Sequence, residues 1–297
     1  MKRKTLVLSF VFLFGIVNFA EENYQWPIKD MKDSDITSFF GESRDDHFHN
    51  GIDIAKKEAL VYPVLNGEII FYYHPENEII PQEWGMGKTI VVQHSKVRSY
   101  YMHLKQFENK GTLVTREISI GTVGDSGRSS GAHLHFSIRK DGKLVNPVDF
   151  LPVIKNNNNP VAETLVFKSG YYQKRLNNLE NFDVVQLPLR ENFEILLNTY
   201  DPIEGRNLTR AVRKVQVQIY DDHEVVFSKE LSFDFIENGK LNGKQYFLEV
   251  YDKFWNEVLM ILGKWEKKER KSAYTINVKI TDNSGNTTAF KKKIVFK

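Results

Sequence analysis

Cysteine is absent from this chain of 297 residues. Its absence excludes a lipid-anchored Cys, any disulfide, any thiol nucleophile and every Cys-based zinc site. Stability must then come mainly from burial, which two domains of ordinary size can supply. Surplus charge is also absent. The 41 basic and 38 acidic residues leave +3, and Lys2, Arg3 and Lys4 account for all of it. From residue 21 onward the signs balance, so nucleic acid is excluded as the main partner, because phosphate binding needs an excess of Lys and Arg. No apolar run reaches the roughly 20 residues of a bilayer-spanning helix. Thr5 to Ala20 comes nearest, an uncharged stretch behind the basic start and ahead of Glu21-Glu22. That layout predicts a secretory signal over residues 1–20. The mature protein is then exported, periplasmic or wall-associated, with no stable membrane span. Asn18 stands where a smaller residue is preferred at a cleavage site, and an uncleaved anchor is the alternative. Proline is scarce, 9 against 21 Phe and 13 Tyr, a balance that leans toward β-structure.

What is present divides at Lys155-Asn156-Asn157-Asn158-Asn159-Pro160, a polar run closed by Pro. Before it, short β-like segments (Val64-Leu65 with Glu68–Phe71, Thr89–Gln93, Ser99–Leu104 and His133–Ile138) are separated by Gly-bearing turns. After it, Val215–Tyr220 alternates, turns at Asp221-Asp222 and returns through Glu224–Phe227. Tyr274–Thr281 likewise turns at Asn283-Ser284-Gly285 and returns to Phe296. Two hairpins with alternating faces predict a β-sandwich of immunoglobulin-like type. Lys253 to Trp265 spaces Phe254, Val258, Leu259 and Leu262 at helical intervals and predicts a helix. The expected class is all-β, with a signal over 1–20, an N-terminal arm over 21–37, a first domain over 38–152, an Asn-rich linker over 153–160 and a sandwich over 161–297.

Of eight histidines (47, 49, 74, 94, 103, 133, 135 and 223), seven fall between residues 47 and 135. Such clustering suits a metal or acid–base site, since each imidazole offers a nitrogen near neutral pH. In His133-Leu134-His135-Phe136 a strand puts both imidazoles on one face and sends Leu134 and Phe136 into the core. His49 and Asp53 share a face in an extended segment, and Gly51 between them disfavours a helix. Tyr101-Met102-His103-Leu104 presents a third His on a face shared with Tyr101.

Together, His49-x-Gly51-x-Asp53, Tyr101-x-His103-Leu104 and Gly131-Ala132-His133-Leu134-His135-Phe136 resemble the lysostaphin-like (LytM-type) zinc endopeptidases of metallopeptidase family 23. Phe40-Gly41, Pro63, Gly67 and Ile120-Gly121-x-x-Gly124-x-x-Gly127 add supporting matches. The resemblance covers about Ser38 to Pro152 and says nothing about residues 160–297. It implies a LytM-type antiparallel β domain in which His49, Asp53 and His135 hold one Zn²⁺, leaving an open position for water. Three N/O ligands plus water is the arrangement of catalytic zinc, whose bound water has a pKa near 7. The resemblance also makes His103 and His133 the two catalytic, non-ligand histidines. One accepts the proton of the water, and the other stabilises the oxyanion or protonates the leaving amine. The implied activity is hydrolysis of peptide bonds in the stems or cross-bridges of peptidoglycan. The rival is a non-catalytic LytM-like module that binds and activates another wall hydrolase. Such relatives usually lose ligands, and all five positions are present here.

The other features read more plainly. His47 lacks the Gly51/Asp53 spacing, His94 ends a strand as a structural residue, and His74 lies in a loop before Pro75. His223-Glu224-Val225-Val226 starts like His-Glu-x-x-His, but Phe227 replaces the second ligand and excludes a thermolysin-type site. Tyr101 is expected to line the groove, the long segment His74–Gly87 to wall it, and Glu21–Thr37 is a candidate occluding arm. The second domain carries no catalytic constellation. Its charged runs, including Lys267–Lys271 and Lys291–Lys293, suit a solvated face, and its functional reading is a module that docks a wall polymer or an envelope protein.

Overall fold

A computed structural model describes residues 23–44, 46–75, 85–108, 111–179, 183–189, 192–254, 257–267 and 273–297. The segment expected to be a signal, most of the segment expected to wall the groove (76–84) and most of the Lys267–Lys271 run lie outside these residues. Among the described residues no helix is long and apolar enough to cross a membrane. The chain is nearly all β, with one four-residue α-helix, Phe247–Val250, among the described residues.

The first half is built on a 12-stranded sheet. Its centre is the strand Leu134–Lys140, flanked on one side by Val97–Phe107 and on the other by Lys143–Val145. The short strand Ile52–Ile54 also pairs with Leu134–Lys140, setting His135 opposite both Asp53 and Met102. Period-two alternation drives Leu134, Phe136 and Ile138 into a core with Ile52, Ile54, Ile90 and Val92, all fully buried. The arm is built into this core: Ile28 and Ile36 are buried, Gln25 donates to the carbonyls of Pro63 and Arg116, and the Trp26 indole donates to that of Pro152.

The second half is a sandwich of two sheets. One runs Tyr172–Asn177, Val161–Ser169, Asn192–Pro202, Glu257–Glu266 and Tyr251–Phe254, with Thr209–Arg210 at its side. The other runs Val184–Leu187, Thr287–Phe296, Ala273–Thr281, Lys214–Asp221 and Glu224–Ser232. Leu165, Phe167, Ile195 and Trp265 from the first sheet meet Val215, Val217, Ile276 and Val278 from the second in one core. Both expected hairpins form.

Lys253 to Trp265 is not a helix. It lies in the strands Tyr251–Phe254 and Glu257–Glu266, which pair as a hairpin. Its helix-like spacing arises because the second of these strands is buried on both faces: Met260, Leu262 and Trp265 enter the main core, while Leu259 and Ile261 pack against Val166 and Leu196. Two-sided burial removes the alternation that marks a half-exposed strand.

The halves interlock. The hairpin Phe235–Glu237 and Lys240–Leu241 continues the first sheet through Lys143–Val145. In return, Phe40 and Phe48 enter the sandwich core. Arg210, fully buried, pairs with Asp201 at 2.8 Å and Asp33 at 2.9 Å and donates to the Ile36 carbonyl. The Asn-rich run is fastened as well. The Asn156 amide donates to Asp201 (3.0 Å), and Asn286 donates to the carbonyls of Asn156 and Asn158.

Candidate metal centre

His49 and Asp53 arrive from the turn before and the body of strand Ile52–Ile54, and His135 from the centre of the neighbouring strand. The ladder between these strands brings the three together. All three are buried, at 4%, 9% and 8% exposure. Asp53 Oδ1 lies 3.1 Å from His49 Nε2 and 2.9 Å from His135 Nδ1, and the two ring nitrogens are 3.1 Å apart. Gly51 makes this approach possible. A Cβ there would stand 2.4 Å from the Phe136 carbonyl oxygen and 2.7 Å from His135 Nε2.

The outer face of each imidazole fixes its tautomer. His49 Nδ1 lies 2.9 Å from the Phe39 carbonyl oxygen, which can only accept, so Nδ1 carries the proton and Nε2 a lone pair. His135 Nε2 lies 2.9 Å from Asn50 Oδ1 and 3.2 Å from Ser137 Oγ, which puts its proton on Nε2 and its lone pair on Nδ1. The inner faces therefore present two nitrogen lone pairs and a carboxylate oxygen to one another with no proton between them. Three acceptors so close repel unless a cation sits among them, and outward-donating imidazoles are the usual second layer of a metal site. The ligand atoms of His49, Asp53 and His135 lie within 4.8 Å of one another, and the N/N/O set fits a zinc-like divalent cation.

Burial opposes the charge of Asp53, yet the two imidazoles facing it, His49 foremost, hold the carboxyl well below its ordinary range. Arg44 supports it from the far side, 2.6 Å from Oδ2. Burial also lowers the pKa of His135.

His133 and His103 flank the cluster. His133 Nδ1 donates to the Gly131 carbonyl at 2.7 Å, which leaves Nε2 3.7 Å from Asp53 Oδ1. His103 Nδ1 donates to the Ser126 carbonyl at 2.9 Å, so its Nε2 is likewise an acceptor. The two rings stand 4.8 Å apart. Burial pushes His103 down to about 4, so it is a neutral base at physiological pH.

Tyr101 does not line a groove. It is fully buried, its hydroxyl accepts from the Val64 amide at 2.9 Å, and burial drives its pKa up. His103 has φ +61°, in the left-handed region, which interrupts the alternation of its strand, so both Tyr101 and Leu104 face the core. His94 is structural, held between Asn66 and Ser99. His47 is exposed and pairs with Asp46, and His223 is exposed at a hairpin turn.

The supporting residues Ser38, Glu42, Arg44, Asn50 and Ser137 were not singled out by sequence. Ser137 was readable, because it follows His135 by two on the same strand face. Arg44 and Glu42 had no such signal, since they act through a turn whose path the spacing does not encode.

The model of Peptidase family M23 matches residues 47–147. The DD-carboxypeptidase/endopeptidase Mpg of Neisseria meningitidis is 34% identical over 102 residues, 34% of this chain and 22% of that protein. The murein hydrolase activator NlpD of Salmonella typhimurium is 28% identical over 137 residues, 43% of this chain and 31% of its own. The chain thus spans under a third of the length of these relatives. A zinc containing peptidase from Vibrio cholerae is 28% identical, with 46% of this chain and 41% of that one covered at a TM-score of 0.37.

Proposed function

We propose, from the premise that residues 47–147 are a peptidase domain of the LytM-type M23 family, that the chain is a zinc endopeptidase of peptidoglycan peptides, exported to act on the wall. The observation that carries this reading is the face-to-face set of three proton-free acceptors, with two further imidazoles beside it. His49 Nε2, Asp53 Oδ1 and His135 Nδ1 would hold the zinc. Bound zinc supplies a water acidified to a pKa of about 7 and polarises the scissile carbonyl.

The remaining work falls to the protein. His103 and His133 each turn Nε2 toward the site, anchored by an Nδ1–H bond to a backbone carbonyl. One of them takes the proton of the attacking water as the bond to the carbonyl carbon forms. The resulting imidazolium then returns a proton to the departing amine. With rings 4.8 Å apart, proton acceptance and oxyanion stabilisation can be divided between the pair. Asn50, Ser137 and Phe39 hold the ligand rings in the required tautomers.

Similarity to a murein hydrolase activator favours a second reading, in which the domain binds and stimulates another wall enzyme. The two separate when zinc-loaded protein is incubated alone with purified sacculi and newly freed amino groups are counted. Release by the chain alone supports the endopeptidase. No release alone, but faster release by an added wall hydrolase, would place the chain among activators.

A further inference from the structure

We propose that Glu42 is the positioning residue through which the sandwich domain sets the metal site, so that zinc affinity depends on how the second domain is seated. The inference rests on the metal-site reading above and concerns the binding of zinc, not turnover.

Glu42 stands where two relays meet. Toward His49, the Ser38 hydroxyl donates to Glu42 Oε2 and accepts from His49 Nδ1 at 2.9 Å. Toward Asp53, Arg44 reaches Glu42 Oε2 with Nη1 at 3.2 Å and Asp53 Oδ2 with Nη2 at 2.6 Å. Arg44 Nη2 also donates to Ser38 at 2.7 Å, so the two relays are joined. The other carboxylate oxygen, Oε1, accepts the backbone N–H of Ala211, a buried residue of the second half, at 3.0 Å.

The direction of each bond matters. Because Glu42 takes the Ser38 proton, Ser38 offers only lone pairs to His49 and Arg44, and His49 must keep its proton on Nδ1. Without that acceptor the Ser38 hydroxyl can turn its proton toward Nδ1, so that it competes with the Phe39 carbonyl and weakens the tautomer that leaves Nε2 open. The same segment is clasped by the sandwich elsewhere. The Tyr251 hydroxyl donates to the Gly41 carbonyl at 2.8 Å, and Gly41 N donates to His49 O at 2.8 Å. The Phe233 ring fills the space a side chain at residue 41 would need, 2.2 Å from a Cβ built there. The second domain, whose expected role is to dock a wall polymer or an envelope protein, thus touches the ligand segment at three points.

Glu42→Gln gives the sharpest test. An amide has one acceptor where the carboxylate has two. Either orientation sets its NH₂ against a donor, the Ala211 amide or the Ser38 hydroxyl. A residue that merely fills space would tolerate the change. The experiment uses the full chain and measures zinc affinity by competition with a chromophoric chelator. Wild type, Glu42→Gln, Glu42→Ala and a remote core variant, Val278→Ala, are compared, with each Tm recorded. The expected result is a loss of about 10- to 100-fold in zinc affinity for both Glu42 variants, the usual effect of removing a second-layer partner. Val278→Ala should lower Tm and leave affinity unchanged. Amide exchange at Ala211 should also slow when zinc is added to wild type, because coupling between sites is reciprocal. Should Glu42→Ala fail to fold, Glu42→Gln carries the test. Wild-type zinc affinity in Glu42→Gln, or an Ala211 amide indifferent to zinc, overturns the proposal while leaving the metal site standing. A wild-type chain that binds no zinc overturns both, and one that binds zinc without cutting peptidoglycan overturns only the hydrolytic reading.

Discussion

Replacing Gly51 by Ala adds one methyl group at the tightest point of the site. Gly51 does not occupy the left-handed region, so Ala is not strained by its backbone there, and the cost comes from contact alone. The new Cβ meets the Phe136 carbonyl oxygen at 2.4 Å and His135 Nε2 at 2.7 Å, the nearer of which is about 1 Å inside ordinary contact. The carbonyl belongs to a central strand paired with Ile52–Ile54, so relieving that contact displaces the segment that carries His49 and Asp53, and the His135 ring must yield as well. Turning it breaks the bonds to Asn50 and Ser137 and moves Nδ1 out of the cluster, whereas a metal site tolerates about 0.2 Å of error in its ligand distances. Overpacking of this kind costs about 1–3 kcal/mol, and the accompanying loss of zinc affinity should reach or exceed the 10- to 100-fold of a second-layer defect. Differential scanning calorimetry and chelator competition measure the two effects. Gly142→Ala is the control: φ is +79° and nothing lies within 4 Å, so it incurs backbone strain without contact and should leave zinc affinity unchanged. A Gly51→Ala protein with wild-type Tm and zinc affinity would refute the reasoning.

Other perturbations separate the roles of the site. His135→Ala should lose zinc and cleavage together. His133→Ala should keep zinc, measured by elemental analysis, while losing about 10²–10⁴-fold in rate; loss of zinc in that variant would show the ligand assignment to be wrong. The metal-free chain should weaken on acidification. Burial lowers His103 to about 4, so its contribution is complete above the unfolded value of about 6.5 and is lost as pH falls through about 4. The lost term amounts to about 3 kcal/mol at most, and urea unfolding of His103→Asn should show a flatter pH profile. Arg210→Ala would leave buried Asp201 without its cation, and the urea midpoint should report a loss of about 3–5 kcal/mol. A loss below about 1 kcal/mol would show that the interlock does not depend on this pair.

Much of the site was legible because strands impose a period of two. His133 and His135 could be set on one face and Leu134 and Phe136 in the core from their order alone, and Gly51, by disfavouring a helix, set His49 and Asp53 on one face of an extended segment. What failed did so for local reasons. Tyr101 was assigned to the groove by the same alternation, but the left-handed φ of His103 shifts the phase after Met102. Lys253–Trp265 read as a helix because a strand buried on both faces has no polar side to reveal its period. The Asn-rich run reads as a linker, yet the Asn156 amide donates to Asp201 and the run's carbonyls accept from Asn286, contacts made across more than 40 residues of sequence. The interlock was invisible for the same reason. Nothing in Gly41-Glu42-Ser43-Arg44 announces that Phe233, Tyr251 and Ala211 will close upon it.

In the proposed function, His49, Asp53 and His135 hold a zinc ion with which the chain cuts peptides of the wall. Purified peptidoglycan incubated with the zinc-loaded chain, with and without a chelator, tests it when the products are resolved by mass spectrometry. New peptide-bond cleavage products should appear, disappear with the chelator and return when zinc is restored. Cleavage that persists in the chelator, or a chain that holds one zinc and yields no products, would contradict the proposed function.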